Sequence, residues 1–318
     1  MKLLVIYIFF SLLILSLSLL NNKILRINNN INCKIVSNIN TIMYLNRIFV
    51  DINECYSNPN NDEMLLDLKE DDYRCQHIKN ILKLNTGDNL RCGIVDIGMN
   101  NECYIIKNDK NNGISINLGN IKDMNTNKLS CSVDLVLAVP RPLRLERLLP
   151  VISCIGVSNL ILTGGEKVEK DYFGSHLFRN PDKMNKCLIE GLEQAEVDFS
   201  LPKVFVRRDL NKFLTIDEGE MFPSSSYYKF IAHPFKAGDI IPMRMKQYKQ
   251  NDNNDNKKKI VIAVGPEGGW TTDEVIAFIR NGYNLINIGD RILRTDMAVP
   301  VLLGLAHEFI STWEKLIN

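Results

Sequence analysis

The sequence lacks the short motifs that would assign it to a chemical class at once. It contains neither the GxGxxG nor the GxxxxGKS/T spacing of common phosphate-binding loops, and no repeat of solenoid length. It also lacks an excess of either charge: 38 basic and 37 acidic residues give a formal net charge of +1, which excludes a globally basic nucleic-acid binder but leaves local patches open. With 45% hydrophobic and 24% charged residues, the 318-residue chain is globular and large enough for two domains.

The eight cysteines form no recognisable metal or disulfide pattern. No two stand close enough for a CxxC motif, and no histidine joins them at zinc-ligand spacing, so the sequence predicts no metal site. Several lie within apolar runs, as Cys154 does between Ser153 and Ile155. This is typical of small buried side chains in a reducing compartment, which argues against a secreted end point.

The amino-terminal region contains no acidic residue before Asp51. Lys2 precedes an almost continuously apolar stretch at residues 3–20, a secretory signal pattern that is also just long enough for a membrane anchor. A basic, Asn-rich segment follows at residues 21–43, as in organelle transit peptides. We therefore expect residues 1–43 to be a bipartite leader for a plastid of secondary origin. The alternatives are a retained membrane anchor and a cytoplasmic location.

Residues 44–128 have a β-rich pattern with one helix. The predicted elements are strands at 47–50, 89–97 and 102–107, a helix at 73–83 and a turn at 98–101. Short strands of this kind, with one helix among them, predict a small barrel-like domain.

The chain from residue 129 to residue 318 alternates between strands and helices. The predicted strands are 133–139, 159–163, 203–206, 229–232, 260–264 and 285–288, and the predicted helices are 143–155, 184–195, 275–280 and a long final one. Alternation of this kind predicts a parallel α/β sheet. Residues 251–259 contain only Asn, Asp and Lys, which indicates a solvated loop insertion.

A glycine-rich loop at residues 265–269 follows the buried strand 260–264. Thr271 and Glu274 match a capping box for the next helix, and a core position is expected for Trp270. Such a strand, loop and helix form the usual place where α/β proteins bind nucleotide-like ligands. Glu267 would repel a phosphate, so an uncharged or cationic ligand fits better. A purely structural turn is the alternative.

A second motif lies between the strand at 285–288 and the last helix. Gly289 ends the strand, and Arg291 and Arg294 lead towards the helix. On the residues alone, both arginines could equally be solvent-facing partners of Asp290 and Asp296.

Together these motifs resemble the bacterial RsmE family. The matching segments are GPEGG at 265–269, GxRILRT at 289–295, and residues 47–49, 77–88, 138–142, 164–170, 191–195 and 232–234. The resemblance spans roughly residues 46–315. It implies a SPOUT-type, trefoil-knotted parallel α/β domain at 129–318, preceded at 44–128 by a PUA-like β-barrel that binds RNA. It also implies a homodimer that uses S-adenosylmethionine to methylate N3 of a uridine in small-subunit ribosomal RNA.

The resemblance also implies roles for individual residues. The cofactor pocket would contain His233, Pro234, Gly265, Pro266, Glu267, Gly268, Gly269, Ile288, Gly289, Ile292, Leu293 and Arg294. Arg294 would stabilise charge on the uracil oxygens, while Asp296 would orient Arg294 or accept the proton. The residues alone, apart from the resemblance, suggest contacts to RNA phosphates for five cations, for which a solvated surface is the commoner alternative: Arg141, Arg144, Lys167, Lys170 and Arg291.

Two departures from the family pattern concern the same region. Asp296 stands where the family usually has Glu, and Pro300 follows closely. Since proline disrupts a helix interior, either the last helix begins later or its first turn is distorted.

The alternative function is an RNA-binding ribosome-assembly factor that has the same fold and no catalytic activity.

Overall fold

The computed structural model describes residues 47–109, 113–127, 132–195, 198–234 and 258–317. The predicted leader at 1–43 lies outside the described residues, as does the predicted insertion up to residue 257. Within the described ranges, no helix combines the length and the hydropathy needed to cross a membrane.

The amino-terminal sheet has six strands in the order β1-β4-β5-β6-β3-β2. The strands are β1 Arg47–Val50, β2 Cys55–Ser57, β3 Glu63–Leu68, β4 Asn89–Ile94, β5 Gly98–Asp109 and β6 Gly113–Asn120. β1 runs parallel to β4, whereas the other neighbours are antiparallel. Alternate residues of β3, including Leu66 and Leu68, point into one apolar core, as the pleat of a strand requires.

A short helical segment closes this sheet. Helix α1 (Tyr73–His77) continues into a π-helical turn, Ile78–Leu82, and ends at Lys83, whose φ is 54°. Single-turn 3₁₀ segments lie at Ile52–Glu54 and Ile121–Asp123. The predicted helix at 73–83 is therefore confirmed in position, with a π-helical second half that the periodicity did not show.

One predicted turn is wrong. Residues 98–101 belong to β5, and the chain reverses instead at residues 95–97, where Asp96 has a φ of 60°. Asparagine and glycine favour turns statistically, but here cross-strand pairing with β4 takes precedence. Strands β2, β3 and β6 were not predicted.

The carboxyl-terminal sheet is entirely parallel, with the order β12-β10-β11-β7-β8-β9. The strands are β7 Val133–Ala138, β8 Asn159–Thr163, β9 Lys203–Arg207, β10 Tyr227–Ala232, β11 Lys259–Val264 and β12 Asn284–Ile286. The central strand β7 is buried at every position, as expected of a strand covered on both faces.

Eight α-helices are found in the described residues, and seven of them follow α1. They are α2 Pro142–Ile155, α3 His176–Arg179, α4 Pro181–Leu192, α5 Leu210–Lys212, α6 Glu218–Met221, α7 Thr272–Arg280 and α8 Thr295–Ile317. Short segments of 3₁₀ and π type lie at Lys170–Gly174 and Phe213–Asp217. α2 packs against α4, while α8 packs against α2, β7 and β11. All six strands and the longer helices predicted for this part are confirmed, with shifts of one to three residues at most ends.

The last helix begins before Pro300. It starts at Thr295, so the expectation of a later start is wrong and Pro300 lies inside the helix. Because proline has no backbone N–H, the carbonyl of Asp296, four residues earlier, receives no helical hydrogen bond from it.

The two sheets meet at a small apolar junction. Phe49 and Met99 of the amino-terminal sheet pack with Leu192 and Phe199 of the carboxyl-terminal part. The backbone N–H of Asp96 donates to the Phe199 carbonyl at 2.8 Å.

One partly buried carboxylate lies beside this junction. Glu193 Oε1 accepts from the Phe49 N–H at 3.4 Å, and burial raises the pKa of Glu193 to about 7.

Candidate functional site

The loops after β10, β11 and β12 enclose a cavity of about 290 Å³ together with the first turns of α8. Carboxyl ends of parallel strands share one edge of the sheet, so loops far apart in sequence meet there. The residues predicted for a cofactor pocket that line the cavity are His233, Pro234, Gly265, Pro266, Glu267, Gly268, Gly269, Ile288, Gly289, Ile292 and Leu293. Arg294, also predicted there, is not among the lining residues.

The glycine-rich loop is a tight turn whose backbone forms one wall of the cavity. Gly269 has a φ of 67°, a conformation that side-chain-bearing residues rarely adopt. A Cβ on Gly265 would lie 3.1 Å from the Trp270 nitrogen and 3.3 Å from Gly269. The N–H of Gly269 donates to the Pro266 carbonyl at 2.8 Å. Glycine at 265 thus allows the loop to fold back closely on itself.

The helix that follows the loop is capped as predicted. Thr271 and Glu274 form a capping box, in which the Thr271 N–H donates to Glu274 Oε2 at 2.7 Å. Glu274 Oε1 also accepts from the Glu166 N–H at 2.7 Å and so joins the loop after β8 to the start of α7. Trp270 is buried and packs against Phe278, which confirms the expected core position.

A buried contact joins the loop to the last helix. The Thr295 hydroxyl donates to the Gly265 carbonyl at 3.1 Å, and Thr295 is 4% exposed. Sequence reasoning did not single out Thr295, although it closes the predicted GxRILRT motif.

The tip of the loop is bound to the start of α2 and to the loop after β8. Glu267 Oε1 accepts from the Arg141 N–H at 3.2 Å and from Arg144 Nη1 at 3.1 Å. Lys167 Nζ donates to the Gly268 carbonyl at 2.9 Å. Among the described residues that line the cavity, Glu267 is the single carboxylate, and Arg144 balances its charge.

The predicted catalytic pair lies beside the cavity. Arg294 Nη2 is 3.3 Å from Asp296 Oδ2, and the Arg294 side chain is 65% exposed. Asp296 Oδ1 is buried and has no hydrogen-bond partner among the described residues. The two side chains therefore form an ion pair at the edge of the cavity.

The comparisons with known proteins concern both sequence and fold. A family model described as an RNA methyltransferase domain matches residues 127–307, more than half of the chain. The chain belongs to this family of RNA methyltransferases.

Two bacterial relatives carry the name ribosomal RNA small subunit methyltransferase E. The protein from Treponema pallidum is 28% identical, covering 77% of this chain and 86% of its own length. Enzyme 1 from Borreliella burgdorferi is also 28% identical, covering 78% of this chain and 92% of its own. These matches confirm the resemblance to the RsmE family.

Solved structures confirm the predicted fold of this RNA methyltransferase. Ribosomal RNA small subunit methyltransferase E from Neisseria gonorrhoeae, bound to S-adenosylmethionine, has a TM-score of 0.60 at 18% identity and covers 83% of this chain and 97% of its own. A methyltransferase from Legionella pneumophila, also with the bound cofactor, has a TM-score of 0.60 at 17% identity and covers 82% and 96%.

The basic residues predicted to contact RNA occupy different surroundings in this methyltransferase. Lys167 and Arg291 line the cavity, and Arg144 is paired with Glu267. Arg141 and Lys170 are exposed.

The structure adds residues to the cavity that were not predicted for the cofactor pocket. They are Ala232, Val264, Trp270, Ile286, Asn287, Thr295, Ala298 and Leu302. Most are apolar residues at strand ends or on α8, where a sequence pattern shows burial but not the neighbouring element. The described residues contain no group of three His, Cys, Asp or Glu side chains placed to hold a metal ion.

Proposed function

We propose that this chain transfers a methyl group from S-adenosylmethionine to N3 of a uridine in small-subunit ribosomal RNA. One observation carries the proposal: three loops distant in sequence enclose a single cavity beside the Arg294–Asp296 pair. Membership of the RNA methyltransferase family supports the reaction class. The names of the bacterial relatives support the choice of ribosomal RNA, and the cofactor bound in the neighbouring structures supports S-adenosylmethionine.

The residues around the cavity fit an adenosine-containing ligand. Its apolar walls include Pro266, Ile288 and Leu293, which suit a flat base. A side chain at Gly265 would press into the backbone of its own loop, so glycine there keeps the loop closely folded where it forms a wall of the cavity. The volume of about 290 Å³ is close to the lower end, roughly 300 Å³, of ligand sites in proteins.

The reaction requires orientation and charge stabilisation from this chain. S-adenosylmethionine supplies, when bound, a methyl group activated by its sulfonium. As the N3 proton of uracil leaves, negative charge grows on the flanking carbonyl oxygens, and the Arg294 guanidinium is placed to stabilise it. Asp296 holds Arg294 at 3.3 Å. Because an ordinary aspartate is a weak base, we assign Asp296 the orienting role, with water taking the proton.

The exposed cations Arg141, Lys170 and Arg291 are proposed as phosphate contacts for the RNA. Since the residues after position 43 carry 34 basic against 37 acidic side chains, this contact depends on where the cations lie rather than on excess charge.

Calorimetric titration of S-adenosylmethionine and methyl transfer to small-subunit RNA test the proposal together. Wild-type protein is expected to bind the cofactor and to methylate the RNA, and mass mapping should find the methyl group on a uridine. The variant Gly268→Trp is expected to lose cofactor binding and to keep RNA affinity, since a Cβ at residue 268 would lie 2.9 Å from Lys167 Cδ and the indole would displace the loop that lines the cavity. RNA binding by a wild-type protein that never binds the cofactor would instead indicate an assembly factor without catalytic activity.

We also propose a homodimer formed through α8. Met297, Val301 and Leu305 are exposed by 54%, 40% and 38% and recur every four residues, so they lie on one helical face. Sedimentation should show a dimer that Val301→Asp converts to a monomer; a monomeric wild type would exclude this.

For the leader, we propose delivery to a plastid of secondary origin. Amino-terminal sequencing of the mature protein from isolated organelles should find a start near residue 44. A mature chain that retains residues 3–20 would instead indicate a membrane anchor.

A further inference from the structure

The tip of the cofactor loop, Glu267 and Gly268, is held by two side chains, one from helix α2 and one from the loop after β8. Arg144 comes from the first turn of α2 and reaches Glu267 Oε1 at 3.1 Å. Lys167 comes from the loop after β8 and reaches the Gly268 carbonyl at 2.9 Å. The two contacts approach adjacent residues of the tip from separate elements.

The contacts are specific enough to fix the tip in one place. The side chains of Arg144 and Glu267 are 27% and 24% exposed, so both partners are partly shielded from water. A Cβ on Gly268 would lie 2.9 Å from Lys167 Cδ, which shows that the lysine stem packs directly on the loop. The two ends of the loop are held separately, by Thr295 at Gly265 and by the capping box at Thr271.

A loop with three glycines loses much conformational entropy when a ligand orders it. Contacts that order the loop before binding remove that cost from the binding free energy. Arg144 and Lys167 are therefore placed to increase the affinity for a ligand in the cavity by ordering the loop.

We propose that Arg144 and Lys167 are positioning residues that clamp the cofactor loop, and that their main effect is on cofactor affinity rather than on RNA affinity. The inference rests on the proposed function, because it takes S-adenosylmethionine as the ligand. It differs from the prediction that these two cations contact RNA phosphates. If they clamp the loop, replacing either one weakens cofactor binding and leaves RNA affinity unchanged. If they contact phosphates, replacing either one weakens RNA binding and leaves cofactor affinity unchanged.

Hydrogen exchange of the ligand-free, full-length protein tests the clamp without any ligand. Amides of residues 267–270 are expected to exchange faster in Arg144→Gln and Lys167→Met. The matched controls are Arg147→Gln, one turn further along α2 and exposed, and Lys203→Met, exposed at the amino end of β9. Both controls are expected to exchange like wild type.

Calorimetry then measures the effect on the cofactor. Each clamp variant is expected to raise the Kd for S-adenosylmethionine by about two- to fivefold, as for a partly exposed charged contact. Once Glu267→Gln has removed the partner, adding Arg144→Gln should change the Kd little further. RNA affinity should match that of the controls.

The outcomes separate the hypotheses. Unchanged exchange at residues 267–270 overturns the clamp, whatever the cofactor does. A loss of RNA affinity with an unchanged cofactor Kd identifies phosphate contacts instead. A wild type that binds no S-adenosylmethionine refutes the proposed function, and hydrogen exchange still decides whether the clamp exists.

Discussion

Replacing Lys229 by Met should strongly destabilise the part of the chain that contains the parallel sheet. Lys229 of β10 places its Nζ 2.7 Å from Glu218 Oε1, and the two side chains are 4% and 2% exposed. Lys229 also donates to the Asn281 carbonyl at 3.2 Å, just before β12 begins. The pair therefore lies where β10 contacts the segment that leads into β12, and the loops after both strands line the cavity.

The loss of stability is expected because the variant leaves the Glu218 carboxylate buried without its partner. Removing one partner of a buried ion pair leaves the other charge buried and unpaired, which lowers the free energy of unfolding by about 3–5 kcal/mol. Methionine retains most of the apolar packing of the lysine side chain. At about 2–4 °C per kcal/mol for a domain of this size, Tm should fall by roughly 6–20 °C. Urea unfolding and calorimetry at neutral pH measure both quantities.

The loss of stability in Lys229→Met should also depend on pH. Burial raises the pKa of Glu218 above 4.5, and Lys229 opposes that rise through its hydrogen bond and charge. Without Lys229 the pKa of Glu218 rises further. An acid with a raised folded pKa lowers stability as pH increases from its unfolded pKa through its folded pKa. The variant should therefore lose less stability at pH 5 than at pH 8.

The matched control is the double variant Glu218→Gln with Lys229→Met, since it removes the unpaired buried charge. This double variant should recover part of the loss and show a flatter pH dependence. A deficit below about 1 kcal/mol, or one that is equal at pH 5 and pH 8, would refute the assignment of a buried charged pair.

Three further predictions concern the cavity and the junction between the sheets. Thr295→Val leaves the Gly265 carbonyl without its hydroxyl donor and should cost about 1–3 kcal/mol in urea unfolding, with Thr295→Ser close to wild type. Because burial raises the pKa of Glu193 to about 7, wild-type stability should fall as pH rises through that value, and Glu193→Gln should flatten the dependence of Tm on pH between 5 and 8. Arg294→Lys should lower kcat by about 10²- to 10³-fold and leave the Kd for S-adenosylmethionine within about twofold, since Arg294 does not line the cavity; a large change in that Kd would place Arg294 in the binding site instead.

Much of the parallel sheet and its helices was predictable because their sequence signals are local. Buried strands such as Lys259–Val264 appear as continuous apolar runs, and the Thr271–Glu274 capping box depends on residues three apart. The amino-terminal sheet was less predictable. In β5, residues 98–101 have turn-like composition, and their strand conformation depends on pairing with β4.

The candidate site was likewise predictable only in part. Motifs identified the glycine-rich loop and the residues around Gly289, but not the apolar walls such as Leu302. Periodicity indicates that such a residue is buried, whereas its neighbours depend on how the strands are ordered in the sheet.

The sequence by itself determined the alternation of strands and helices, the position of the glycine-rich loop and the cap of the helix after it. Only the tertiary structure decided that Arg144 pairs with a carboxylate 123 residues away, and that Thr295 meets Gly265 across 30 residues. The physical reason is that helix caps and strand patterns depend on interactions within a few residues. A hydrogen bond between distant loops instead forms only after a parallel sheet has brought its carboxyl ends to one edge.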